Sequence, residues 1–376
     1  MSIDTIAITL TSDSFQITQP DKFTPSARWI ENYGCAVYGI RSKQNPTKKE
    51  LKQGIYKPRL TLSHRFTKNH TQEIILRIEL SLPKLLFGNN FDELQYKDFL
   101  PVIKKLAATL ETMGVIASTD ALSHAPVSAI HYSKNIALTD GSIPFSYINK
   151  IKEANVRLSV DTNESTYRND GHGYKWHCNT YEVAFYDKIK DLEKAKYSCK
   201  LAIEKDSEVQ LSILDAFANR NKLEFLRMEV RLNKREALKR LLTKLNIKAD
   251  LTFKSLFKPA IAKKVLLHYL DQVESNRLPL LDYRAKSDEA LLANLRVYNP
   301  KFTHKQILQA FGLKKALEIY TLRELRAMFG SSSSRSWYRL MVDAKNVKLP
   351  AIQSPLGVIR EGIVQFKPTK LAHIKN

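Results

Sequence analysis

The sequence predicts an α+β fold: an N-terminal, mainly antiparallel sheet with flanking helices, followed by a mostly helical C-terminal region. Three observations predict it. Several segments before residue 235 alternate apolar and polar side chains with the period of two that a half-buried strand requires. One segment among them, 96–113, instead follows the three-and-four spacing of an amphipathic helix. After about residue 233 glycine and proline become sparse, Leu, Lys, Ala and Arg dominate, and helical spacing takes over.

In chain order, residues 3–10 carry β-branched side chains with alternation and form a strand candidate. Segments 35–40 and 59–63 are weaker candidates. Segment 73–81 is stronger, with Ile74, Leu76, Ile78 and Leu80 in one row and Arg77 and Glu79 in the other. In 96–113, Phe99, Ile103, Leu106, Leu110 and Met113 make the apolar stripe, and Gly114 is a natural stop. Segments 127–133, 156–160 and 181–188 are further strands, and the polar stretch 161–173 reads as a hairpin or loop. Segment 223–232 alternates most clearly. Helices are expected at 234–245, 253–273, 287–295, 303–311, 313–329 and 336–344, with a serine turn at 331–334. The expected division is a first domain over 1–235 and a helical region over 236–376.

A chain of 376 residues with 43% hydrophobic content can build more than one core. No stretch approaches the roughly 20 apolar residues of a membrane span, so no membrane role is expected. The first residues lack a basic segment before an apolar core, which argues against a secretory signal. Cys35, Cys178 and Cys199 are too few and too scattered for a disulfide framework or zinc knuckle, and fit a reducing cytoplasm. The net charge of +22 is spread along the chain. Such an excess repels itself unless a polyanion shares it, which points to a surface that neutralises phosphates.

The strand rows carry the candidate chemistry. In 223–232, Arg227, Glu229 and Arg231 share one side. In 181–188, Glu182, Ala184, Tyr186 and Lys188 share one side, and Tyr181, Val183 and Phe185 the other. His131 lies in the 127–133 strand. Alternation leaves open which rows face one another, and each residue alone has an ordinary packing or ion-pair role available. Together they suit strand cleavage through tyrosine. A phenol must lose its proton as it attacks, and the crowded phosphate gathers negative charge that a cation must meet. Carboxylate and imidazole ligands can hold a hard divalent ion, magnesium or manganese, with positions open for phosphate oxygens. Competing machinery is missing: there is no GxxxxGK[ST] loop, GxSxG elbow, HExxH or His-x-His pair. The spacing of His172 and His177 is wrong for two ligands on one strand face.

Four motifs in one order resemble the filamentous-phage replication initiators, the gene II protein or phage replication protein CRI family. They are LRIELSLPKLLFGNN at 76–90, VSAIHYSKNI at 127–136, TYEVAFYDK at 180–188 and LRMEVRL at 226–232, with a weaker echo in RSWYR at 335–339. The resemblance implies an HUH-endonuclease-like enzyme that nicks one strand of double-stranded origin DNA. It would hold the 5′ phosphate covalently and later rejoin the displaced single strand into a circle. It also implies Tyr186 as nucleophile with Lys188 beside it, and Glu229 as the family's carboxylate; His131 and, more weakly, Glu79, which has no counterpart in the family pattern, are further candidate metal ligands. Tyr181 and Tyr132 are rivals to Tyr186, separated from it by a small shift of alignment. Where some relatives carry an acidic residue in the central strand, this chain has His131.

DNA contacts are expected from Arg227 and Arg231, from Lys84 with Asn89 and Asn90, and from Arg323, Arg326, Arg335 and Arg339 around a short-linked helix pair. Lacking a nucleotide-binding loop, such an initiator would rely on the host's helicase and polymerase. The alternatives are an initiator that binds the origin of a plasmid or phage without cutting, a conjugative relaxase, or a structural nucleic-acid-binding protein.

Overall fold

The alternating segments meet in an antiparallel sheet in the computed structural model, which describes residues 3–32, 41–66, 72–154, 166–168, 171–178, 180–200, 224–329, 334–350 and 354–371. In chain order the strands are β1 (Ile3–Thr11), β2 (Gln16–Ile17), β3 (Arg41–Gln44), β4 (Arg59–Phe66), β5 (Gln72–Ser81), β6 (Val115–Ile116), β7 (Val127–Leu138), β8 (Thr166–Arg168), β9 (Gly173–Cys178), β10 (Tyr181–Asp187) and β11 (Glu224–Leu232). Nine of these form one sheet in the order β3-β4-β5-β1-β7-β11-β10-β9-β8, with β2 and β6 paired apart. Neighbouring strands all run antiparallel. The expected strands at 35–40 and 156–160 and the turn residues 331–333 lie outside the described residues.

Period two gives the sheet one apolar face. Ile6, Leu76, Ile78, Ile130, Val183, Phe185, Met228 and Val230 are all fully buried there. Each such side chain contributes about 1.5–3 kcal/mol when it leaves water. The helices Phe99–Thr112, Pro144–Glu153, Arg235–Lys244 and Pro259–Ser275 supply the covering layer and share that core.

The core does not divide at the expected boundary of 235/236. Helices Arg235–Lys244 and Pro259–Ser275 belong to the sheet's core, because their apolar stripes cover its apolar face. A second core starts at Leu278 and ends near Val347, built from helices Pro279–Asp282, Asp288–Tyr298, His304–Ile319, Leu322–Phe329 and Ser334–Lys345. Buried Arg277 sits at the junction, bound to Asp282 at 2.6 Å and to Glu153 at 3.3 Å. The chain then returns: Leu356, with Ile359 and Ile363 of the following helix Gly357–Gln365, rejoins the first core.

Three helix boundaries also differ from expectation. Pro259 opens a new helix, so 253–273 is two helices. Gly312 is accommodated inside His304–Ile319, and the break comes instead where Thr321 and Glu324 cap the next helix reciprocally. The expected strand 181–188 ends at Asp187, whose carboxylate receives the amides of Ile189 and Lys190, so Lys188 begins a helix. Among the described residues no helix is long and apolar enough to cross a membrane.

Helix Gly357–Gln365 lies so close to β7 that a Cβ at Gly362 would come 2.8 Å from Ile136 Cγ2. Gly362→Val should therefore lower stability by about 1–3 kcal/mol. Urea unfolding should show an earlier midpoint with an unchanged slope.

Candidate active site

Register brings the polar rows together. Across β7 and β11, Arg231 lies opposite His131, Glu229 opposite Ser133 and Arg227 opposite Asn135. Across β10 and β11, Tyr186 lies opposite Arg227, and Glu182 opposite Arg231. Six of the expected residues therefore meet on the polar face: Tyr186, Lys188, Arg227, Glu229, Arg231 and His131.

Asp4 joins them and was not foreseen. Strict alternation would put Asp4 in the buried row of Ile6 and Ile8. The pairing of β1 with β7 steps from Ile3↔Tyr132 to Thr5↔His131, two residues against one. This bulge turns Asp4 over onto the face of His131. The signal available in the sequence was a carboxylate sitting in an apolar row.

Asp4, His131 and Glu229 offer one ligand atom each, all within 4.8 Å of one another. Among the described residues no other group of three has this arrangement. Two carboxylates and one imidazole suit a hard divalent cation, whose oxygen ligands lie about 2.0–2.6 Å away. His131 Nε2 lies 3.1 Å from Asn233 Oδ1, while its Nδ1 lies 3.7 Å from Glu229 Oε1. An Nε2–H donated to Asn233 leaves the Nδ1 lone pair facing the carboxylates, as a metal ligand requires.

Glu229 is the electrostatic centre. Burial alone would favour its neutral form. Arg231, 3.0 Å from Oε2, together with Arg227, instead holds it well below the usual carboxylate range. Arg231 also reaches Glu182 at 2.7 Å, and Glu182 accepts from Lys175 at 2.8 Å. The Tyr186 hydroxyl donates to Glu229 Oε2 at 3.3 Å. Burial, then the charge of Glu229, pushes the Tyr186 phenol well above its ordinary value, and Arg227 opposes this. Arg227 donates to Asp4 at 2.6 Å, Ser133 at 2.9 Å, Asn135 at 3.1 Å and the Asn90 carbonyl at 3.1 Å. Lys188 is fully buried, with Nζ 5.9 Å from the Tyr186 ring centroid and 3.2 Å from Asp191. Burial pushes the Lys188 ammonium down.

The rival tyrosines point elsewhere. Tyr132 is fully buried in the apolar core, its hydroxyl without a hydrogen-bond partner among the described residues and its pKa driven up by burial. Tyr181 packs its ring 5.1 Å from Tyr269 of the covering helix. Both lie on the face away from Asp4, His131 and Glu229.

The other expected residues are more dispersed. Glu79 shares the polar face but not the trio, and is bound by Arg77 at 3.1 Å and Arg59 at 3.7 Å. Lys84 lines a cavity beside Asp4. Arg323 donates to the Tyr174 hydroxyl at 3.3 Å, Arg326 is half-buried, and Arg335 and Arg339 are exposed on the second core's helices. His172 lies 3.5 Å from Asp187, apart from the trio.

Comparison with protein-family models, curated proteins and solved structures returns no match.

Calorimetric titration with manganese should separate the trio from Glu79. Asp4→Asn and Glu229→Gln should each abolish measurable binding, and Glu79→Gln should leave it unchanged. Asn233→Ala should weaken it by about 10- to 100-fold, the usual loss when a ligand's orienting partner is removed.

Proposed function

We propose that this chain is a replication initiator that nicks one strand of a double-stranded DNA origin and carries the 5′ phosphate on Tyr186. In this reading it is an HUH-endonuclease-like enzyme of a phage or plasmid-like element and drives rolling-circle replication. One observation carries it: a tyrosine, three candidate metal ligands and buried cations converge on one polar sheet face from four strands remote in sequence.

In the proposed reaction the Tyr186 oxygen attacks the scissile phosphorus. The Oη–P bond forms as the P–O3′ bond breaks, and the phenol's proton passes by way of water to the departing 3′ oxygen, which leaves as a hydroxyl. Glu229 Oε2, held ionised by its arginines, accepts the phenol's hydrogen bond and orients the attacking oxygen. The raised phenol pKa keeps Tyr186 protonated until a substrate and positive charge are present. Lys188 and Arg227 flank the ring and offset the charge that builds on the phosphate. A divalent cation, magnesium or manganese, held by Asp4, His131 and Glu229 would polarise the non-bridging phosphate oxygens. Rejoining is the reverse step, with a 3′ hydroxyl attacking the phosphotyrosine.

The exposed Arg335 and Arg339 on the second core's helices suit contact with duplex phosphates. The charge of +22 supports the same polyanionic partner. The nicked single strand and the host's helicase and polymerase complete the proposed set of partners, in a bacterial cytoplasm.

Incubation with the supercoiled replicon that encodes the chain should convert it to open circles in magnesium and leave it intact in EDTA. Tyr186→Phe should lose both nicking and the covalent protein–DNA product. Tyr181→Phe and Tyr132→Phe should keep them, because those rings face the apolar core. Origin binding without any open circle would favour the non-cutting initiator.

A further inference from the structure

An open groove of about 550 Å³ lies between the helices Phe99–Thr112 and Thr119–His124. Helix Phe99–Thr112 belongs to the layer on the sheet's apolar face. The groove and the trio of Asp4, His131 and Glu229 therefore lie on opposite sides of the sheet.

Helical spacing makes the groove. Lys97, Leu100 and Lys104 recur at three and four residues, just outside the buried stripe of Phe99, Ile103 and Leu106. Phe99 and Ile103 are buried and form the floor. The Phe99 ring is held by Phe253 and Phe257, with centroids 5.4 and 5.0 Å away, so the floor is preformed. At the rim Tyr96 and Leu100 stay 62% and 63% exposed, an apolar surface that the chain itself leaves open.

Charge surrounds this apolar strip. Lys97, Lys104 and Lys254 line the groove, and among the described residues none of their ammonium groups has an ion pair or hydrogen bond. The nearby carboxylates are engaged. Asp120 lies 3.1 Å from His124 Nδ1 on its own helix, and Asp98, next to Lys97, receives the Gln95 amide at 2.6 Å. The three lysines outnumber these two carboxylates, and none is within ion-pair range of either.

The chemistry of the groove selects its occupant. Small ligands bind where most of their surface is enclosed, which this open rim does not provide. A second copy of a chain with net charge +22 would bring more positive charge to a basic rim. A nucleic acid would meet the lysines but leave the apolar strip uncovered. We propose that the groove docks a short acidic peptide segment of another protein. A bulky apolar side chain of the segment rests on Phe99, Leu100 and Ile103, and its carboxylates face Lys97, Lys104 and Lys254. The apolar anchor supplies affinity, and the charges set orientation and specificity. The sheet separates this surface from Tyr186, so the inference does not rest on the nicking reading.

The test follows the fluorescence anisotropy of the labelled peptide EDELFDDE mixed with the full chain. Saturable binding with a Kd below about 1 mM is expected. Replacing the leucine and phenylalanine of the peptide by serine should abolish it. Leu100→Ser in the protein should weaken binding about tenfold, because an apolar contact is lost. Lys104→Gln and Lys254→Gln should each weaken it about fivefold, the scale of one exposed ion pair. Lys301→Gln, between two helices of the second core, should change nothing. All four positions are exposed, and thermal melting checks folding. If Leu100→Ser melts early, the lysine variants carry the result. No saturable binding, equal binding of the serine-replaced peptide, or wild-type affinity in the Leu100 and lysine variants would overturn the site. An oligothymidylate or phosphatidylserine vesicles whose binding falls with Leu100→Ser while that of the peptide does not would overturn it as well. The nicking assay stands or fails separately.

Discussion

A carboxylate 2% exposed in the middle of a sheet is the constraint around which this protein is arranged. Glu229 cannot lose its water without losing its charge unless partners replace the hydration. Arg231 and Arg227 flank it on its own strand, His131 faces it from β7, and the Tyr186 hydroxyl reaches it from β10. Three of these partners have a second anchor that fixes their direction. Arg231 is tied to Glu182, Arg227 to Asp4, and His131 to Asn233. The chemistry proposed for the site grows from this electrostatic requirement, since a pre-paid array of charges costs little to reorganise when a phosphate arrives.

The same array is tied to the far end of the chain. Asn135, which receives Arg227, donates its side-chain amide to the Phe91 carbonyl and its backbone N–H to Glu93. Glu93 also pairs with Lys134 at 2.6 Å, both side chains only 3% exposed. Lys134 in turn donates to the Lys367 carbonyl, and the Thr369 amide donates to Glu93. Residues 367–371 therefore close the buried network that holds the loop at 89–93, whose Asn90 carbonyl accepts from Arg227. Breaking a buried pair such as Glu93–Lys134 costs about 3–5 kcal/mol, because the survivor is left uncompensated. The returning C-terminal segment is thus part of the frame of the site, although nearly all of the second core separates it from the sheet in sequence.

Much of this was legible beforehand. Alternation in 73–81 and 223–232 gave the strands and their rows, because a half-buried strand leaves no other arrangement of apolar side chains. Rows from β7, β10 and β11 could be named but not joined, since register depends on pairing partners that a period of two does not identify. Asp4 was hidden by a bulge, a local event with no periodic signature. The expected weight on Glu79 had the face right and the neighbourhood wrong, because β1 intervenes and two arginines take the carboxylate. The boundary at 235/236 followed a change in composition. The cores instead divide near residue 277, because a sheet this wide needs the next two long helices to cover it.

The central claim is that the oxygen of Tyr186 becomes joined to DNA. After incubation with the supercoiled replicon and nuclease trimming, trypsin should release the peptide 176–188, bounded by Lys175 and Lys188 and containing both Tyr181 and Tyr186. Fragmentation mass spectrometry of that peptide locates any nucleotide it carries. A nucleotide on Tyr186 is the predicted result. A nucleotide on Tyr181, on a residue outside this peptide, or on no residue of a chain that nicks would contradict the account.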